Sequence, residues 1–247
     1  TTLDRDSTNP IKDLLLVEEL RRKYRKIKPD LVVHYTHKPN IFGTLAARLA
    51  GVKSVSVIKG LGYSFINRGF INVVAEWLYR RTARYSSSMI FENEDDRELF
   101  IQKRLVNEDR AFAVKGCGVN TAYYQSKSDQ SPNPPVFTFI GRLLKDKGIL
   151  EFAAAARHFH EKARPASFVV LGDFDPENPS TIDRDTLLEW ISEDTVDYKG
   201  FVNDVRPFLE KSTCIVLPSY REGMPRIVLE AMAMGKPVIT TRTAGCR

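Results

Sequence analysis

The sequence predicts an α/β protein with two doubly wound, Rossmann-like domains that face a cleft. Short apolar runs alternate with amphipathic stretches, which is the order that builds parallel sheets covered by helices. A Ser- and Pro-rich segment without apolar periodicity, residues 125–135, interrupts the alternation and predicts a linker. We expect an N-terminal domain over residues 1–124, a C-terminal domain over 136–247, and ligands at the carboxyl ends of the strands.

The individual elements follow from the two hydrophobic periods, two residues for strands and 3.6 for helices. In the first domain we predict strands near 31–35, 54–58, 88–91 and 111–114, with helices near 39–50, 67–84 and 94–105. In the second we predict strands near 136–140, 168–171, 214–217 and 237–240, with helices near 147–161, 203–211 and 225–234.

Composition limits the class of protein. With 247 residues, 43% of them hydrophobic and 28% charged, the chain can bury a sizeable core. No uninterrupted apolar run reaches the roughly 18 residues that a membrane span needs. The three cysteines are far apart and lack metal-ligand spacing, which favours a reducing compartment over a zinc site or a disulfide framework.

Positive charge is concentrated in the first half of the chain. Residues 1–134 carry a net charge of +7 and the remainder −1. Aromatic and basic residues share the predicted helix near 67–84, and its arginines are Arg68, Arg80, Arg81 and Arg84. Two interpretations stay open: a helix lying on an anionic membrane surface, or a core helix with solvated arginines. No nucleic-acid-binding motif accompanies the charge, so nucleic acid is not an expected partner.

Two glutamates stand eight positions apart near the C-terminal end. Glu222 follows a predicted buried strand and Glu230 lies on the predicted helix after it. Carboxylates accept hydrogen bonds from hydroxyls, and the first-turn N–H groups of a helix hold phosphate or hydroxyl oxygens. The alternative is that Glu230 only pairs with Arg226 one helical turn earlier, a contact worth about 0.2 to 0.5 kcal/mol.

A second motif follows the first predicted strand of the C-terminal domain. Gly141-Arg142 and Lys147-Gly148 form a glycine turn that lets two cations converge on one anion. The alternative is a surface turn with solvated charges. The two motifs lie about 80 residues apart in a fixed order, which makes their joint occurrence specific.

Together these motifs, with the segment 231–239 (Ala-Met-Ala-Met-Gly-Lys-Pro-Val-Ile), resemble the family 4 retaining glycosyltransferases of the GT-B fold. In that family the Gly-Arg and Lys-Gly motif neutralises the donor diphosphate, and the glutamate motif with the segment after it lines the nucleotide-sugar pocket. The resemblance implies a metal-independent enzyme without a cofactor. Its implied catalytic residues are Arg142, Lys147 and Glu222, and its implied donor-binding residues are Gly141, Gly223, Met224, Arg226 and Glu230.

A narrower likeness comes from the segments 34–47, 60–64, 217–223 and 244–246, which resemble bacterial transferases that extend undecaprenyl-diphosphate-linked sugars. It implies a UDP-sugar donor, a polyprenyl-linked acceptor, and a peripheral position on the cytoplasmic face of the cell membrane. Many family members carry His-Gly where this chain has Lys59-Gly60, which leaves the donor sugar open. We expect His37, Lys59 and Gly60 to be contacts for acceptor or sugar, and His34 to be a core histidine.

The resulting hypothesis is a transferase that moves a hexose or N-acetylhexosamine from a UDP-sugar to a lipid-linked saccharide. A UDP-sugar epimerase, a sugar phosphorylase and a non-catalytic nucleotide-sugar-binding subunit remain as alternatives. Because the chain begins without Met and ends in a predicted loop, we expect a fragment that lacks the family's first strand and last helices.

Overall fold

The computed structural model describes residues 9–61, 70–126 and 131–247. The chain divides into two compact units, Thr1–Cys117 and Gly118–Arg247, and each contains one parallel sheet. In the described ranges, no helix is both long and apolar enough to cross a membrane.

The first unit has a four-stranded sheet in the order β1-β2-β3-β4, with every neighbouring pair parallel. Its strands are β1 (Leu31–Tyr35), β2 (Lys53–Ile58), β3 (Ser88–Phe91) and β4 (Ala111–Ala113). Its helices are α1 (Pro10–Ile27), α2 (Thr44–Ala50, which continues a π-helical turn over Pro39–Gly43), α3 (Phe70–Thr82) and α4 (Glu94–Gln102).

An aromatic cluster packs α3 and α4 against this sheet. The rings of Tyr79 and Phe91 each meet Phe100 edge to face, with centroids 5.2 and 5.1 Å apart. All three side chains are at most 1% exposed. Such edge contacts add about 0.5 to 1.5 kcal/mol per pair to the burial of the rings themselves. One face of α3 is therefore a core face.

The second unit has a five-stranded parallel sheet in the order β7-β6-β5-β8-β9. Its strands are β5 (Val136–Ile140), β6 (Ser167–Leu171), β7 (Asp197–Tyr198), β8 (Cys214–Leu217) and β9 (Val238–Thr240). Its helices are α5 (Ile149–Glu161), α6 (Arg184–Ser192), α7 (Arg206–Lys211) and α8 (Arg226–Ala233). Because β6 and β7 lie on one side of β5 and β8 and β9 on the other, the winding reverses between β5 and β8.

Three elements were absent from the prediction: α1, α6 and β7. Helix α1 begins at Pro10 and is capped by Asn9, whose side chain accepts a hydrogen bond from the Ile11 N–H at 2.9 Å. Only Leu16 and Val17 of α1 are buried, whereas its other apolar residues are largely exposed. The apolar period of this helix is therefore weak in the sequence.

The division between the units also differs from the expected one. It falls after Cys117, whereas the sequence predicts a first domain to residue 124 and a linker over 125–135. Tyr123, before the predicted linker, packs on the second unit, with the Arg206 guanidinium 3.8 Å from its ring centroid. Ser126, within the predicted linker, donates to Glu210 at 3.0 Å. Residues 127–130 lie outside the described part of the chain.

Candidate functional site

The predicted motifs meet where the second sheet reverses its winding. Strands β5 and β8 are hydrogen-bonded neighbours, with Phe137 opposite Cys214 and Thr138 opposite Ile215. The turns that follow them, residues 141–148 and 218–225, therefore leave the same edge of the sheet side by side. Ligands of open α/β sheets bind at this kind of reversal.

The central contact of this edge is an ion pair between Lys147 and Glu222. The Lys147 Nζ lies 2.5 and 2.7 Å from the two carboxylate oxygens of Glu222. The two side chains are 22% and 10% exposed, so water screens the pair only in part. The pair joins the turn after β5 directly to the turn after β8.

A glycine makes this approach sterically possible. Gly148 has a φ of +77°, and a Cβ there would lie 2.3 Å from the Pro218 carbonyl oxygen. The same two turns are held by the Tyr220 N–H, which donates to the Asp146 carbonyl at 2.9 Å. The Ser219 hydroxyl donates to that carbonyl at 3.1 Å. Any side chain at 148 would separate the turns that carry Lys147 and Glu222.

The position of Glu222 depends on a third segment. Its N–H donates to the Ala244 carbonyl at 3.0 Å. Gly245 follows with a φ of +74°, and a Cβ there would meet the carbonyl oxygens of Glu222 and Gly223 at 2.3 and 2.4 Å. Gly245 is a supporting residue that the sequence analysis missed as such, because nothing local marks a contact with a turn 22 residues earlier.

Arg142 lies in the turn immediately after Gly141 and is about half exposed. Its Nη1 forms a short ion pair with the Asp175 carboxylate. No pattern in the sequence predicted Asp175 as the partner of Arg142. The guanidinium is thus held at the sheet edge while part of it stays accessible to solvent.

Glu230 is buried, with 8% of its surface exposed, on the inner face of α8. Its carboxylate lies 3.3 Å from the Arg226 Nη2, so the pair that the sequence offered as an alternative is present. The hydroxyl of Tyr124 is a further partner: burial, and then its hydrogen bond to Glu230, raise the pKa of Tyr124 to about 12. Gly223 and Met224 lie in the turn before α8.

In the first unit, His37 follows β1 and has both ring nitrogens bound within the protein. Its Nε2 lies 3.1 Å from the Leu61 carbonyl and its Nδ1 lies 2.9 Å from the Tyr79 hydroxyl. Because a carbonyl only accepts, Nε2 carries the proton and Nδ1 accepts from Tyr79. Burial lowers the pKa of His37, which favours this neutral form.

Lys59 and Gly60 follow β2 at the same edge of the first sheet. The Lys59 Nζ lies 4.0 Å from the carboxylate of Glu92, which follows β3. Burial raises the pKa of Glu92, the Lys59 charge lowers it, and the charge of Asp96 raises it again. Gly60 has a φ of +106°, a conformation that side chains rarely adopt.

His34 is a core histidine, as predicted. It is 5% exposed, and its ring nitrogens lie 3.0 Å from the Tyr24 hydroxyl and 3.2 Å from the Thr44 Oγ1. Burial lowers the pKa of His34 to about 4.

Comparison with known proteins agrees with this architecture. The family model described as "Glycosyl transferases group 1" matches residues 134–247, and "Glycosyl transferase 4-like" matches residues 1–93. A solved structure of Anabaena HepE in complex with UDP and glucose superposes with a TM-score of 0.74 at 20% identity. The match covers 94% of this chain and 63% of the HepE chain.

Two curated relatives match nearly the whole chain. One is the N,N'-diacetylbacillosaminyl-diphospho-undecaprenol alpha-1,3-N-acetylgalactosaminyltransferase of Campylobacter jejuni, 31% identical over 98% of this chain and 66% of the relative. The other is the UDP-Gal:alpha-D-GlcNAc-diphosphoundecaprenol alpha-1,3-galactosyltransferase of Escherichia coli, 30% identical over 95% and 63%. The chain spans just under two thirds of the length of these relatives.

Two Rossmann-like α/β units and the solved structures that share them define the GT-B fold. The chain belongs to the glycosyltransferases of group 1, with a 4-like N-terminal part. The predicted fold and family are thereby confirmed.

Proposed function

We propose that this chain is the main part of a glycosyltransferase that moves a hexose or N-acetylhexosamine from a UDP-sugar to a polyprenyl-diphosphate-linked saccharide. The observation that carries the proposal is the paired Lys147 and Glu222 at the winding reversal, with Arg142 on the same turn. The C. jejuni and E. coli relatives, whose names specify undecaprenyl-linked acceptors, support the substrate class.

The difficult step of such a transfer is departure of the nucleoside diphosphate, while positive charge develops at the anomeric carbon. Fixed cations that stabilise the leaving diphosphate lower this barrier. Lys147 has three N–H donors, so it can keep Glu222 and still reach a phosphate oxygen. Arg142 offers a planar fork for the same diphosphate. With two cations in these places the proposed reaction needs no metal ion or other cofactor.

The remaining residues of this edge would hold the rest of the donor. We assign the ribose hydroxyls to Glu230 and the transferred sugar to Glu222, Gly223, Met224 and Arg226. Pro225 has no N–H to contribute. Same-face attack with retention of the anomeric configuration is part of the proposal and rests on the family alone.

The carboxyl edge of the first sheet would supply acceptor or sugar contacts. The Lys59 side chain is about half exposed beside the buried Glu92, so its ammonium group can pair with an anionic group of the substrate. Gly60 would allow close approach of the chain to that group. Both ring nitrogens of His37 are hydrogen-bonded within the protein. His37 would therefore contact the substrate only through the carbon edge of its ring, and it would fix the position of the Leu61 carbonyl.

We further propose that the protein rests on the anionic cytoplasmic face of the membrane through α3. Val73 and Trp77 on this helix are 65% and 52% exposed, and the Arg81 guanidinium lies 5.5 Å from the Trp77 ring centroid. Exposed apolar residues beside arginines are typical of helices at a membrane interface. Arg68, which the sequence adds to this set, lies outside the described residues.

Sedimentation with vesicles tests this membrane position. Binding should rise with the fraction of anionic lipid and fall with salt, because exposed charges are screened beyond roughly 8 Å at physiological ionic strength. Val73→Ser should weaken it, whereas Leu188→Ser, at an equally exposed position of the second unit, should not. Equal sedimentation with neutral and anionic vesicles would exclude the proposal.

Release of UDP from UDP-sugars, measured with and without a polyprenyl-linked acceptor, tests the activity. A transferase releases UDP fastest with the acceptor, a hydrolysing epimerase releases it without one, and a non-catalytic subunit releases none. Arg142→Ala should lower kcat by roughly 10²-fold, the scale for removing one preorganised transition-state group. Arg157→Ala is the matched control, since Arg157 also pairs with carboxylates but lies on α5.

A further inference from the structure

A recess of about 300 Å³ lies on the first unit and is lined by four arginines. Its floor is apolar, because Ala83, Leu105 and Val106 are at most 9% exposed. The volume is at the lower end of the range for small-molecule sites. No lining residue is acidic. The polar lining residues of this arginine recess are Arg80, Arg84, Arg104, Asn107 and Arg110.

The recess lies at the opposite edge of the sheet from the candidate acceptor contacts. Arg84 lies between α3 and β3, and residues 104–110 connect α4 to β4, so both segments precede strands. His37 and Lys59 instead follow strands β1 and β2. Because all four strands are parallel, segments before strands and segments after them lie at opposite edges. The arginine recess is therefore separate from the carboxyl edge discussed above.

The positive charge of the recess is not balanced by carboxylates. Among the described residues, no ion pair involves any of its four arginines. Of the acidic residues nearby in sequence, Glu76 pairs with Lys103, Glu108 lies 3.6 Å from the Arg97 Nη2, and the exposed Asp109 does not line the recess. Four guanidiniums around one recess repel each other, and a bound anion would remove that repulsion.

Neutral groups hold three of the guanidiniums in place. Arg80 donates to the Lys103 carbonyl at 3.3 Å, and Arg110 donates to the Arg84 carbonyl at 3.2 Å. Arg84 donates to the Tyr85 hydroxyl at 2.8 Å. Each guanidinium has five N–H donors, so these single bonds leave most of them available. Arginine forks held in this way match the oxygens of a phosphate group.

We propose that the arginine recess is a binding site for a phosphate group, carried either by an anionic lipid headgroup or by a soluble phosphate compound. The proposal does not rest on the transferase activity, because it involves a different edge of the first unit. It predicts binding that saturates and depends on these four side chains rather than on the net charge of the chain.

The first test is binding of inorganic phosphate at constant ionic strength. Calorimetry and the shift in melting temperature measure this binding. Arg104→Gln/Arg110→Gln removes two guanidiniums and should weaken phosphate binding about tenfold or more, because hydrogen bonds from charged donors to a phosphate are stronger than those from a neutral amide. Lys26→Gln/Lys28→Gln is the control, because it removes the same charge from exposed positions of the same unit. Arg80→Gln/Arg104→Gln replaces the first variant if loss of the Arg110 contact impairs folding.

Vesicles of phosphatidylglycerol and of phosphatidylcholine distinguish the two sources of phosphate. Stronger loss of phosphatidylglycerol binding in the recess variant than in the lysine control identifies a lipid headgroup. Saturable binding of inorganic phosphate with equal vesicle binding by both variants identifies a soluble compound. If both variants match the wild type towards phosphate, and each other towards vesicles, the recess is not a phosphate site.

Discussion

The ammonium of Lys147 is bound to both carboxylate oxygens of Glu222, 75 residues further along the chain. The proposed function gives these residues different parts of the donor, the diphosphate to Lys147 and the sugar to Glu222. The structure shows that each is the other's partner. The ion pair therefore holds both side chains at the same edge of the sheet, whereas the roles proposed for them differ.

The separate roles proposed for Lys147 and Glu222 predict different effects of two substitutions. Glu222→Gln should lower kcat while UDP affinity stays nearly unchanged, because the contact that it weakens strengthens only as the sugar bond breaks. Lys147→Ala should lower kcat by roughly 10²-fold and also weaken UDP, since it removes a diphosphate donor. Lys145→Ala, an exposed lysine on the same turn, is the control. Calorimetric titration with UDP that shows equal weakening by Glu222→Gln and Lys147→Ala would contradict the division of roles.

Glu230→Gln should weaken UDP binding by about 1 to 2 kcal/mol, because hydrogen bonds from ribose hydroxyls to a neutral amide are weaker than to a carboxylate. Glu193→Gln, which changes an exposed carboxylate paired with Arg157, is the matched control for UDP titration. If Glu230→Gln leaves both UDP affinity and kcat unchanged, Glu230 only anchors Arg226 and Tyr124.

Gly148→Ala should destabilise the second unit more than Gly200→Ala does. Both positions have positive φ, +77° and +70°, so both substitutions strain the backbone by about 1 to 2 kcal/mol. A Cβ at 200 meets nothing within 4 Å, whereas a Cβ at 148 collides with the Pro218 carbonyl. Urea unfolding measures the difference, and loss of UDP binding should accompany only Gly148→Ala. Equal losses of stability would show that the turns can separate without cost.

His34 should make the first unit less stable in mild acid. Its folded-state pKa of about 4 lies below its ordinary value of 6.5, so the unfolded chain binds its proton first as the pH falls. Stability from this group is complete above pH 6.5 and decreases towards pH 4, by about 3 kcal/mol in all. Urea unfolding at several pH values should show a shallower decrease for His34→Gln than for His160→Gln, whose side chain is exposed. A wild-type pH slope in His34→Gln would contradict this assignment.

The predicted strands agree closely with the structure because buried parallel strands are short apolar runs that the local sequence marks clearly. Strands β1, β3, β5 and β8 have the predicted bounds, and β2, β4, β6 and β9 differ by one residue. Helices α1 and α6 and the two-residue β7 were missed. In α1 the exposed Ile11, Leu14 and Leu15 blur the apolar stripe on which the prediction depends.

The sequence by itself determined the parallel α/β class, the family, and the two motifs with their Arg, Lys and Glu residues, because periodicity and spacing are properties of neighbouring residues. The tertiary structure decided which of these side chains meet. Lys147 reaches Glu222 only because β5 and β8 are neighbours in the sheet and Gly148 admits the Pro218 carbonyl. The tertiary structure also determined that Tyr124 and Arg226 both contact Glu230. It placed His37 between Tyr79 and Leu61. Strand order and burial bring together residues far apart in the chain, and no local pattern records those contacts.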